Sequence, residues 1–174
     1  SFIAGFLTIA QCGARYRAST DERPFRAVQA FGRMVLLNLA LLMIPFGLIL
    51  LNGFFVPLCD VQEGIAFFLL LPVVSVVFSV ALGLFCAVHY RRSRRVFLFL
   101  VLLSLVYVCF LGYTTPAIDS YNVFYGYFPG LSYDELLTLD IPLLTFRILT
   151  LAVAALLVWL THLLVLHTTP RHGG

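Results

Sequence analysis

Charge is what this sequence has least of. Only 11% of its 174 residues are charged, 61% are apolar, and the mean hydropathy is +1.02. A soluble domain carries about 25% charged residues. A chain this poor in charge cannot cover a water-facing surface, so it reads as a polytopic membrane protein whose solvent is lipid. Lysine is missing altogether: all eleven basic residues are arginine. That uniformity is consistent with a coding bias and carries no mechanism.

Cysteine pairs are missing too. Cys12, Cys59, Cys86 and Cys109 form no CxxC, which excludes the usual zinc and iron–sulfur spacings. Cys86 and Cys109 lie inside apolar runs, where a thiol behaves as a small hydrophobe. No GxSxG, HExxH or glycine-rich phosphate loop occurs, so the hydrolase, metalloprotease and nucleotide signatures are excluded. None of the long apolar runs contains Asp or Glu, which leaves no evident proton or cation relay.

What is present is a succession of apolar runs near the ~20 residues that cross a bilayer. Spans are predicted at 34–55, 65–90, 96–113 and 141–167. The expected fold class is all-α: a polytopic integral membrane protein with four full transmembrane helices, a partial N-terminal apolar segment at 1–10 and an ordered aromatic outer loop at 114–140. Residues 11–33 form a basic connector and 168–174 a polar tail. The run 1–10 has no basic n-region and no cleavage site, so it does not read as a signal peptide. It is too short to span, and reads as the end of a longer helix or as an interfacial helix. Pro45 and Pro72 are expected to kink the first two spans. Asn38 is expected to bond to a neighbouring helix.

Orientation follows from the arginines. Ten of the eleven fall in 11–33, in 91–95 and in the tail, and none falls in 56–64 or 114–140. The positive-inside rule puts the first group, and both ends, in the cytoplasm. Loop 114–140 then lies outside, and a bacterial cytoplasmic (inner) membrane is the expected location. The basic runs flank spans, so they read as topology signals and anionic-lipid contacts, with no nucleic-acid partner.

Four groups of residues are candidates for more than span formation. Ser75, Ser79, Gly83 and Ala87 recur every fourth position, a stripe on which two helix backbones can approach closely. The outer loop concentrates Tyr121, Phe124, Tyr125, Tyr127, Phe128 and Tyr133. These are expected at headgroup depth as an aromatic belt or as a docking face for a partner. Within it Ser132 and Glu135 fit a capping box that starts a short helix. Arg147 is the one arginine inside a span. Such a residue faces the bundle interior, so a latch to Asp140, Glu135 or another outer acid is expected. Snorkelling and an anion or substrate site are the alternatives. His89 and His162 are expected at similar depth near the cytoplasmic face, where two histidines can hold a haem or a pigment.

The function expected from these features is non-catalytic. The chain reads as a structural or accessory subunit of a larger membrane complex, or as the membrane part of a longer protein. It would meet lipid and other membrane subunits through its small-residue faces and outer loop, with no cofactor. The alternatives are a small transporter or channel using Arg147, and an electron-transfer subunit using His89 and His162.

Overall fold

The computed structural model describes residues 2–18, 26–53, 61–114, 119–129 and 141–168. Helices α1 (Phe2–Arg17), α2 (Ala27–Asn52), α3 (Val61–Phe68), α4 (Val74–His89), α5 (Ser93–Thr114) and α6 (Ile141–Thr168) are joined by one hairpin, β1 (Asp119–Asn122) with β2 (Gly126–Pro129). A π-helical turn, Leu69–Val73, links α3 to α4 without a break. Four stretches are long and apolar enough to cross a membrane: Ala27–Asn52, Gly64–His89, Ser93–Leu111 and Ile141–His167. They follow the four apolar runs of the sequence, and their lipid-like outer surfaces are consistent with a bilayer around them.

The π turn has a local cause. Pro72 lies inside it. Proline has no N–H to donate, and its ring collides with the carbonyl four residues back. Widening the helix by one residue per turn relieves that collision and keeps the span continuous. Pro45, by contrast, is accommodated inside α2 without a change of helix type.

Helix α4 is the hub. It packs against α1, α2, α5 and α6, and most of its residues are buried. Its largest interface is with α1. Helix α1 buries Ala4, Gly5, Thr8, Ile9, Cys12 and Gly13, one stripe at intervals of three to four. Ser75, Ser79, Gly83 and Ala87 are all buried on α4. A β-carbon at Gly83 would stand 2.8 Å from the Gly5 carbonyl oxygen and 3.3 Å from Thr8 Cβ. Only a bare glycine lets the two backbones come this close. On its other side Gly5 is covered by the Phe97 ring of α5.

Two helix boundaries differ from the sequence expectation. Helix α1 does not stop at Ala10 but runs to Arg17, because Cys12 and Gly13 continue its buried stripe against α4. Helix α2 begins at Ala27, not Met34, because Ala27, Ala30, Met34 and Asn38 form a buried stripe of their own. The connector 11–33 is therefore helical at both ends. Residues 19–25 between them lie outside the described residues. Among the described residues the bond Asn38 makes is within α2 and not to a neighbouring helix: its Nδ2 donates to the Met34 carbonyl at 2.8 Å.

The fold is not purely helical. β1 and β2 pair antiparallel, with Tyr121 opposite Tyr127 and Ser120 opposite Phe128. The hairpin does not project away from α5. It folds back beside it, and Asn122 donates to the Ser104 hydroxyl at 2.8 Å and to the Ser104 carbonyl at 3.3 Å. At 1.5 Å per residue, Ser104 lies about 15 Å below the Thr114 end of the helix.

Candidate functional site

Arg147 sits in the second turn of α6, and only 1% of it is exposed. Its Nη1 donates to Ser75 Oγ of α4 at 3.3 Å. Among the described residues its Nε and Nη2 have no hydrogen-bond partner, and the same holds for Ser79 Oγ. Ser79 is one turn beyond Ser75, on the same buried face of α4. Among the described residues the α4–α6 interface therefore buries a guanidinium whose Nε and Nη2 are unpartnered and whose central carbon lies 5.7 Å from the Phe146 ring centroid. The guanidinium does not snorkel outward; it is turned into the bundle.

An unpaired buried charge costs several kcal/mol, about 3–5 when a partner has been removed. Guanidinium offers donors in a planar fork that matches carboxylate or phosphate. The site thus presents donors of the kind that pair with an anion. It brings no nucleophile or general base to that anion among the described residues.

The hairpin closes one side. The Tyr121 ring stacks on Phe146, the residue before Arg147, at 5.6 Å between centroids. Asn122 is 2% exposed, and its Oδ1 accepts from the N–H of Phe124 at 2.8 Å and of Tyr125 at 3.2 Å. One amide thus folds the tip and ties it to α5. Phe124, at the tip, is 4% exposed. Its ring meets Phe2 at 6.0 Å, Phe78 at 5.4 Å and Phe97 at 6.2 Å.

At Phe124 the structure differs from the aromatic belt expected of the loop. Phe124 is a core residue shared by α1, α4 and α5. Tyr121 is half-buried against α6. Tyr125, 42% exposed, lies edge-on to Phe2 at 5.0 Å. Tyr127 and Phe128 belong to β2. Tyr133, and the capping box of Ser132 and Glu135, lie outside the described residues. So do Asp140 and Glu135 as expected partners of Arg147; the partner seen is Ser75.

His89 ends α4, exposed, with its ring stacked on Phe85 at 5.5 Å and edge-on to Tyr90 at 4.7 Å. His162 is half-buried on α6. Among the described residues no group of three or more His, Cys, Asp or Glu is placed to hold a metal ion. Cys12 and Cys86 are free and buried.

Three contacts were not anticipated from sequence. One is the Arg147–Ser75 pair, 72 residues apart. Another is Asn122 on Ser104. The third is the α1 stripe, which did leave a signal: Ala4, Thr8 and Cys12 repeat every fourth position, with Gly5 and Gly13 beside them. No family model, curated protein or solved structure matches this chain.

Proposed function

We propose that this chain is a membrane-embedded carrier or binding protein for a small anion, with Arg147 as the anion contact. The observation that carries this reading is the buried guanidinium, two of whose nitrogens have no hydrogen-bond partner among the described residues. An ionisable residue inside a membrane marks a functional site by default. Two further features support the reading. The π turn interrupts the span that carries Ser75 and Ser79, and such turns recur at functional sites. Non-helical backbone, here the hairpin, is tolerated at membrane depth only where protein or a cavity surrounds it. In this account the arginine-rich ends of α1, α4 and α5 face the cytoplasm of a bacterial inner membrane, and the hairpin enters from the outer side.

The test is thermal unfolding of the full chain in detergent, titrated with inorganic phosphate and with a short monocarboxylate. A ligand that binds only the folded state adds RT ln(1 + [L]/Kd), about 2.7 kcal/mol at a hundredfold excess over Kd. One of the two anions is expected to raise Tm in this way, and Arg147→Met is expected to fold with no anion response. An unchanged Tm with both anions would contradict the proposal.

A second reading, an accessory subunit of a larger complex, is favoured by α2. That helix exposes Leu36, Leu41, Ile44, Leu48 and Leu51 on an apolar face that a partner helix would cover. Co-purification of a defined set of partner chains is its test.

A further inference from the structure

At the end of the bundle away from the hairpin, five arginines converge. Arg17 closes α1, and Arg91, Arg92, Arg94 and Arg95 surround Ser93 where α4 gives way to α5. Together with Ile9 they line a cavity of about 400 Å³. Small-molecule sites run from about 300 to 1,000 Å³. Among the described residues no carboxylate lines this one.

A topology signal needs only that arginines lie on the correct side of a span. It does not need Arg17, from a separate helix, to share a cavity with the turn at 91–95. The packing of α1 brings it there. The Arg17 Nη2 lies 3.7 Å from where a Gly13 β-carbon would stand, and Ala87 Cβ lies 3.8 Å from the same point. The absence of a side chain at Gly13 leaves room for the guanidinium to fold back along α1. Five like charges in one concavity repel one another, and that repulsion is relieved by a counter-charge. The positive end of the α5 dipole adds to the same potential.

The flanks indicate the source of the counter-charge. Leu98, Phe99 and Leu102 are exposed on α5 just beyond the arginines. A headgroup held by the arginines would thus have its acyl chains running along an apolar helix face. We propose that this cavity is a binding site for the phosphate headgroup of an anionic phospholipid, independent of the Arg147 site.

The experiment uses the full chain in nanodiscs of phosphatidylcholine, titrated with cardiolipin or phosphatidylglycerol and read by native mass spectrometry. A saturable bound anionic lipid is expected. Arg17→Gln is expected to weaken it about fivefold, equivalent to ~1 kcal/mol. Arg33→Gln removes the same charge outside the cavity and is expected to change the affinity less than twofold. Gly13→Leu, which fills the space under Arg17, should reproduce the Arg17→Gln loss with the charge intact. Equal effects of Arg17→Gln and Arg33→Gln would overturn the site, because diffuse charge would then account for binding. Absence of preference over phosphatidylcholine would overturn it as well. Saturation by pyrophosphate that cardiolipin does not displace would overturn the lipid assignment.

Discussion

Replacing Arg147 by methionine separates the two roles a buried arginine can play. If Arg147 were the essential half of a latch to an outer acid, its loss would strand a buried carboxylate and cost about 3–5 kcal/mol. Among the described residues the contact seen is with the neutral Ser75 hydroxyl; Asp140 and Glu135 lie outside them. Replacing a buried charge by an apolar side chain of similar volume removes its desolvation penalty, provided no buried carboxylate is left behind. Arg147→Met is therefore expected to keep its folded yield and Tm in the absence of added anion. A drop of several degrees would restore the latch. Arg147→Lys keeps the charge but loses the planar fork, so anion binding should weaken by more than the change in charge alone predicts. At this scale the sequence was informative about burial and silent about partners. For an arginine inside an apolar run, as at Arg147, turning inward is the leading expectation and snorkelling the alternative. That it meets Ser75, 72 positions away, depends on how α4 and α6 pack, and no local pattern records it.

Between elements, backbone approach and one amide carry the structure. Gly83→Ala places a methyl 2.8 Å from the Gly5 carbonyl oxygen, and backbone yields less readily than a side chain. A cost of about 1–3 kcal/mol is expected, read as a lowered Tm or denaturant midpoint. At the hairpin, Asn122→Ala removes the acceptor for two N–H groups and the donor to Ser104. Each buried group left unpaired costs about 1–3 kcal/mol. Ser104→Ala leaves the Ser104 carbonyl still accepting from Asn122, so it should be clearly the milder variant. Equal losses from the two would mean that Asn122 does not hold the tip. The small-residue stripe on α4 was readable because helical periodicity puts every fourth residue on one face. Its partner helix was mis-bounded because hydropathy falls after Ala10 while the buried stripe continues to Gly13. The hairpin was missed for a different reason. Its strands are four residues each, and the residues that hold it, Ser104 and Phe97, lie in the preceding helix.

At the scale of the whole molecule, the bundle is organised around α4, with arginines at one end and the hairpin at the other. The four long apolar helices were legible because span length and hydropathy are local properties. The order of packing around α4 is a tertiary property and was not. Orientation is testable directly. In sealed vesicles of known sidedness, a thiol-reactive, membrane-impermeant reagent should reach Arg92→Cys only from the cytoplasmic face and Tyr113→Cys only from the outer face, in a background lacking the native cysteines. Labelling of both from one face would remove the positive-inside assignment. The most direct test of the central claim observes the guanidinium of Arg147 itself. Nitrogen-15 NMR of the arginine Nε–H groups in micelles should show one resonance protected from solvent exchange, absent in Arg147→Met, that shifts on titration with phosphate or a short monocarboxylate. A resonance that exchanges as fast as those of the exposed arginines, or that neither anion moves, would contradict the account.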